Sequence, residues 1–297
     1  MALGAPADLV DRARSTRDPL PGTCGFAGEL PDGRLVRDVL GRRPLFVDGE
    51  AWSHDPTDLA NPESFPAGYV REGGETRELW TLPDPEPADA DAALAAVAEA
   101  LSGALGSLDS DGLAVAFSGG VDSALVASAV DSPLYVAGFE GSQDVEAARD
   151  AAERMGREDL RVVTLTHEAI ERAVPRVARA IRRRNAMDVS IALPLFCVAE
   201  RAASEGYERV AVGQGADELF GGYEKVAAPD HRVAADTVRG ARRETLLGLP
   251  DQLERDVLAL RAAGVEPVAP LLCDGVVRAA LALPETLLVD GDERKVA

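Results

Sequence analysis

Short apolar runs and amphipathic stretches alternate through the middle of this chain. Residues 113–117, Leu-Ala-Val-Ala-Phe, form an unbroken apolar run, the pattern of a strand buried on both faces. Residues 134–139, 160–165 and 209–212 read as three further strands. Residues 123–130, 144–155, 168–184 and 191–204 read as the helices between them, and helices are expected from there to the end. Repeated strand–helix units imply an α/β fold with a mostly parallel, doubly wound sheet. Ligands on such sheets bind at the carboxyl ends of the strands, where strand order reverses.

The first 86 residues follow another pattern. They are rich in Gly, Pro, Asp and Arg, and apolar pieces such as Leu35-Val36 and Pro44-Leu45-Phe46-Val47 predict short strands joined by turns. The segment Leu82-Pro83-Asp84-Pro85-Glu86-Pro87 reads as a linker, because three prolines in six residues fit neither a helix nor a central strand. Two domains follow, a small β-rich region over 1–86 and an α/β domain over 87–297. The second opens on a helix over 89–105, with Leu94, Val97, Leu101 and Leu105 spaced for one apolar face.

Composition narrows the function. A net charge of −20 repels nucleic acid and anionic membranes at long range and argues against both as partners. No apolar run approaches the ~18–20 residues of a membrane span, and the N-terminus lacks the apolar block of a secretory signal. Cys24, Cys197 and Cys273 are far apart, with no Cys-x-x-Cys pair. That spacing predicts reduced thiols in a cytoplasmic protein, and neither a disulfide framework nor a zinc site. His54, His167 and His231 have no metal-ligand spacing and are assigned to turns or surfaces. Of 31 basic residues, only Lys225 and Lys295 are lysine. Excess carboxylate with so little lysine fits adaptation to high salt, while an arginine-rich codon bias is the plainer account of the arginines.

The run at 113–117 leads straight into Ser118-Gly119-Gly120-Val121-Asp122-Ser123 and then a helix. Two glycines let the backbone approach a ligand closely, and the leading N–H groups of the helix face an anion. Ser118 and Ser123 add hydroxyls. Asp122 is informative, since a carboxylate beside phosphate needs a divalent cation between them. No lysine follows the glycines, so this is not the common NTPase loop. A bare Gly-Gly turn can be purely structural. Five fixed positions in six, in the right strand–loop–helix context, arise by chance roughly once in a thousand sequences or less. The run matches the pyrophosphate loop of the N-type ATP pyrophosphatases, which cleave ATP to AMP and pyrophosphate.

A second loop, Gly213-Gln214-Gly215-Ala216-Asp217-Glu218-Leu219-Phe220-Gly221-Gly222-Tyr223, follows the strand at 209–212. Acidic residues at a helix start are by themselves ordinary capping. Together with the first loop, with Gly138-Phe139-Glu140-Gly141, and with Arg255-Asp256, Gly264-Val265-Glu266 and Pro270, this loop closely resembles the synthetase domain of the asparagine synthetase family. The resemblance implies a sheet of the adenine-nucleotide alpha-hydrolase-like type, use of ATP and Mg²⁺, and cytoplasmic asparagine biosynthesis. It implies that Asp122 and Asp217 hold Mg²⁺, that Gly213 lies along the ATP site with the phosphate loop, and that Ala116 and Gly138 stand at adenine-contacting strand ends. It makes Lys295 the lysine that stabilises charge on the α-phosphate, with Lys225 beside the same loop and Asp217 also in the catalytic set. A compact ammonium suits a developing charge where a rigid guanidinium fork does not. The implied substrates are ATP, an aspartate-like amino-acid carboxylate and ammonia, the last free or from a separate glutaminase. A homodimer is left open.

The family pattern breaks in three places. Gln214 stands where asparagine-forming members usually carry glutamate, and glutamine has no basic oxygen at neutral pH. Position 2 is Ala2, where the family's glutaminase half begins with cysteine; the chain ends at Ala297, where the resemblance implies a further helix. Residues 35–46 and Phe65-Pro66-Ala67-Gly68-Tyr69, with Leu79-Trp80, resemble turns and strands of that half. A shortened remnant that does not hydrolyse glutamine is therefore expected. Cys24-Gly25-Phe26-Ala27-Gly28 imitates its nucleophile segment, against the commoner role of a structural cysteine. Three readings follow: an asparagine-forming ligase, a related ligase joining another carboxylate and amine, and a catalytically silent nucleotide binder. If the acidity is a salt adaptation, the far-ultraviolet dichroism of the protein will collapse as salt falls from molar to millimolar, and unchanged ellipticity will exclude it.

Overall fold

The computed structural model describes residues 3–227, 233–290 and 293–296. Ala2, His231 and Ala297, each of which carried part of the sequence argument, lie outside the described residues. By compactness the chain forms two units: Met1–Ala104 with Gly215–Glu254 and Leu271–Ala297, and Leu105–Gln214 with Arg255–Pro270. The division at residue 86, read from the proline-rich linker and the change in composition, stays a proposal; compactness groups residues 1–104 with two later segments.

The first unit begins with α1 (Ala7–Thr16) and seven short strands: β1 (Ala27–Glu29), β2 (Leu35–Arg37), β3 (Phe46–Asp48), β4 (Ala51–Ser53), β5 (Glu63–Ser64), β6 (Tyr69–Glu72) and β7 (Glu75–Glu78). They pair antiparallel into sheets of order β1-β2-β6-β7 and β4-β3-β5. Ala27, Leu35, Leu45 and Phe65 form their common core. Leu79 and Trp80 follow β7 without extending it. α2 (Ala90–Gly106) buries Ala93, Val97 and Leu105, whereas Leu94 is 43% exposed, so the apolar stripe includes Ala93 in place of the expected leucine.

In the second unit, β8 (Leu113–Ala116), β9 (Leu134–Gly138), β10 (Leu160–Thr164), β11 (Arg209–Ala211) and β12 (Glu266–Val268) form one parallel sheet of order β10-β9-β8-β11-β12. Between them lie α3 (Val121–Ser128), α4 (Gln143–Arg154), α5 (His167–Ala180) and α6 (Ala186–Ser204). α3 and α4 pack on the sheet, and α6 packs across β8, β9 and β10 with α5 against it. Right-handed crossovers put the two groups on opposite faces. This bears out the α/β, mostly parallel, doubly wound fold. Two local expectations fail. The helix expected over 168–184 ends at Ala180; Asn185 then caps α6, its Oδ1 accepting the Asp188 N–H at 2.8 Å. β12 replaces part of the helical run expected after residue 212. It is an edge strand of three residues containing Pro267, a short signal in a place where a missing N–H is tolerated.

The first unit closes with α7 (Ala216–Phe220), α8 (Glu224–Ala227), α9 (Val238–Leu247), the first part of α10 (Leu249–Ala262), α11 (Asp274–Leu281) and a hairpin of β13 (Val289–Asp290) and β14 (Glu293–Arg294). Prolines leave the linker with carbonyls to satisfy, and arginines of α9 donate to them. Arg243 bonds Leu82 O and Pro83 O at 2.6 and 2.8 Å, and Arg239 bonds Pro85 O at 2.6 Å. Arg242 is buried and donates to Ala280 O and Leu281 O at the end of α11. Burial pushes its guanidinium down to about 10.

The cysteine expectation is overturned. Cys24 and Cys273, 249 residues apart, are joined in a disulfide, and only Cys197 is free. Sequence spacing could not reveal a pair brought together by the fold. The nucleophile-like role of Cys24 falls with it, because its sulfur is already bonded.

Near the amino ends of β9 and β10, the Tyr135 hydroxyl donates to Glu205 at 2.6 Å, and Arg161 and Arg201 pair with the same carboxylate. The Tyr135 and Arg201 donors hold the Glu205 carboxyl down to about 2, against an ordinary 4.5. Ionised Glu205 therefore contributes fully above pH 4.5 and loses that contribution as pH falls toward 2. Glu205→Gln is expected to unfold at lower urea than the parent at neutral pH. The gap should close across that acid window.

Candidate nucleotide site

Strand order reverses between β8 and β11, so the loops leaving their carboxyl ends begin side by side. After β8, Gly119 takes φ +81°, and a Cβ there would fall 2.6 Å from Ala147 O and 2.8 Å from Ala148 Cα. Only glycine fits this turn against α4. Ser123, 5% exposed, braces the loop from within. Its Oγ donates to Gly120 O at 3.0 Å and accepts the Ser118 N–H at 3.2 Å. Its one proton is thus engaged inside the loop, and Ser123 shapes the cradle while Ser118 remains exposed at the surface. Gly120 precedes α3, whose first N–H groups stand outside the helical ladder and face the loop opening.

Gly213, after β11, runs against the first loop. A Cβ there would lie 3.0 Å from Asp122 C, Asp122 Cβ and Ser123 N. Ala116 and Gly138 end β8 and β9 as expected. Gly138 is also needed for packing, since a Cβ would come within 2.7 Å of Val145 Cγ2. His167 starts α5 beside the exposed Phe139 ring, and His54 contacts Pro44 O at 2.9 Å.

The role of Gln214 was missed in part. Its Nε2 donates to Asp256 Oδ2. Asp256 is buried and bonded twice by Arg255, at 2.7 and 3.0 Å, and Arg255 reaches Asp188 at 3.2 Å. Burial pushes the Asp256 carboxyl up, while Arg255 and Gln214 pull it down. Asp188 is held low, chiefly by its hydrogen bond from Asn185. The adjacent Arg255-Asp256 pair was visible in the sequence; its partners 42 and 67 residues away were not.

In the first unit, the second loop continues into α7. Asp217 Oδ1 pairs with Lys295 Nζ at 2.8 Å. Lys295 is set by the hairpin: its N–H bonds Leu288 O at 3.0 Å, and its φ of +58° is rare for a residue with a side chain. Gly222 makes room for the pair, because a Cβ there would meet Asp217 Oδ1 at 1.9 Å and Lys295 Cε at 2.5 Å. Lys225 is placed differently, over the Tyr223 ring at 5.5 Å, while the Tyr223 hydroxyl bonds buried Glu218 at 2.6 Å.

Among the described residues, no three His, Cys, Asp or Glu side chains cluster as a metal cage. Mg²⁺ commonly binds through one or two carboxylates with phosphate oxygens and water, so the half-exposed Asp122 beside the glycine cradle fits that habit. No described helix is long and apolar enough to cross a membrane.

The sequence model of the asparagine synthase family matches residues 96–247, a little over half of the chain. A Methanocaldococcus jannaschii protein, provisionally named asparagine synthetase (glutamine-hydrolyzing) 1, is 34% identical over 183 residues, covering 59% of this chain and 33% of that protein. The glutamine-hydrolyzing asparagine synthetase of Brassica oleracea is 24% identical over 299 residues, 88% of this chain and 50% of that one. The Asparagus officinalis enzyme of the same name is 28% identical over 221 residues, 63% and 37% respectively. The chain thus spans from a third to a half of these curated relatives. Gly213→Ala is expected to displace the two loops by a few tenths of an ångström, because two of the three atoms its new Cβ meets at 3.0 Å are backbone. It should lower stability by about 1–3 kcal/mol, read from the urea midpoint.

Proposed function

Because this chain belongs to the asparagine synthase family, we propose that it is an ATP-dependent carbon–nitrogen ligase that activates an aspartate-like carboxylate by adenylation and passes it to ammonia. The observation that carries this reading is the glycine cradle at the strand-order reversal, with Gly213 packed on Asp122. An anion seated there would meet the first N–H groups of α3 and the Ser118 hydroxyl. Asp122 and Asp217 are the carboxylates proposed for Mg²⁺, each by the motif that contains it. When bound, the ion would neutralise phosphate charge and help pyrophosphate leave.

Lys295 has a defined part in this proposal. It neutralises Asp217 in the structure, and a cation taking that carboxylate would free its ammonium for charge building on the α-phosphate. Lys225, held over Tyr223, is left a supporting role beside the loop. Cys24 is bonded to Cys273, which supports ammonia reaching the site from solution or a separate glutaminase. The acidic surface supports small-molecule partners over nucleic acid.

One observation favours a second reading. Gln214 presents an amide to Asp256 where asparagine-forming members usually carry a carboxylate, which supports a related ligase with a different carboxylate and amine. Protein incubated in molar salt with ATP, Mg²⁺, ammonium and a panel of amino-acid carboxylates should release AMP and pyrophosphate. Asparagine as product supports the first reading, and AMP with another acid supports the second. No AMP with any acid refutes both. Asp122→Ala should lower Mg²⁺-dependent AMP formation at least ~100-fold while leaving the unfolding free energy from urea titration within about 0.5 kcal/mol of the parent.

A further inference from the structure

We propose that Cys24–Cys273 is a reversible redox site, open to dithiol reductants, that clasps the segment supporting the second acidic loop. Its two cysteines are brought together by more than their own bond. Asp274, 1% exposed, accepts from the Gly22 and Thr23 N–H groups at 3.0 and 2.7 Å and from the Thr23 hydroxyl at 3.1 Å. Its other oxygen takes Arg42 at 2.7 Å, and its own N–H bonds Thr23 O at 2.8 Å. Thr23 adjoins Cys24 and Asp274 adjoins Cys273, so this network holds the sulfurs in reach whether or not they are joined. Cys24 is exposed and Cys273 half-buried, so Cys24 is the half of the bridge taken as the one a reductant reaches first.

The clasped segment has a target. Leu272, immediately before Cys273, packs on Gly215, where a Cβ would lie 2.3 Å from Leu272 Cδ2. Gly215 in turn precedes Ala216 and Asp217. Leu272 O also accepts from Arg42 at 2.8 Å. Reduction removes the covalent restraint adjoining Leu272 and so loosens the floor beneath Gly215, without releasing the Asp274 network. In the reaction, a thiolate of the dithiol attacks the Cys24 sulfur and Cys273 leaves as thiolate. The second thiol of the reductant then displaces Cys24. Two electrons and two protons pass to the protein, leaving two cysteine thiols and an oxidised dithiol.

The whole protein decides the matter. Air-equilibrated protein, denatured in an alkylating agent, should be labelled at Cys197 alone, and native incubation with dithiothreitol beforehand should add Cys24 and Cys273. Reoxidation should reverse this. Labelling of all three without reductant, or a bridge that resists native reduction, overturns the proposal. Amide hydrogen exchange at residues 271–273 and 215–217 should rise about fivefold or more on reduction, and equally in Cys24→Ser without reductant, while the Asp274 amide, held by Thr23 O, keeps its protection. Unchanged exchange at both segments in reduced wild-type protein overturns the clasp. The loop's part in nucleotide chemistry rests on the ligase reading. Absence of AMP in both redox states would therefore sink that reading and leave the thiol and exchange results to decide this one.

Discussion

At the reversal between β8 and β11, the backbone of Gly213 runs so close to Asp122 that the position of a Cβ is already at contact distance from Asp122 and Ser123. Everything proposed for the nucleotide depends on that approach. The parallel sheet sets the two strand ends side by side, Ser123 ties the first loop closed from beneath, and Gly119 fits the loop against α4. Glycine is needed at these positions for shape alone, before any ligand is considered. The outcome is a cradle whose remaining polar groups, backbone N–H and the Ser118 hydroxyl, suit an anion.

The first unit solves a different problem, that of holding charged groups where water is scarce. Asp38, Arg42 and Asp274 are buried together, and Arg42 bonds both carboxylates at 2.8 and 2.7 Å. Such a network adds little net stability over an apolar core, but removing one member leaves a buried charge without its partner. Arginines of α9 serve the linker and the end of α11 by donating to carbonyls that prolines and helix geometry leave without a donor. The arginine-rich composition therefore has a structural use. The two lysines are used otherwise, Lys295 on Asp217 and Lys225 on an aromatic face.

Much of this was legible along the chain. The apolar run at 113–117, the glycines after it and the alternation of strands and helices gave the parallel sheet and located the cradle, because both signals are local. Asp217 and Lys295 could be matched to family motifs, though their 2.8 Å contact needed the hairpin that turns Lys295 back. What stayed hidden was long-range. No spacing rule connects Cys24 to Cys273, or Gln214 to Asp256, and the three-residue edge strand at β12 is too short to carry a period. Leu94 misled because a helical face one residue wide of it, through Ala93 and Val97, buries smaller side chains.

In the proposed reaction a carboxylate of the substrate attacks the α-phosphorus of ATP in this cradle. Oxygen-18 placed in the carboxylate of the accepted amino acid traces that bond directly. Adenylation followed by amide formation leaves one labelled oxygen in the phosphate of AMP. AMP free of label, or label recovered in orthophosphate beside ADP, would rule out attack at the α-phosphorus.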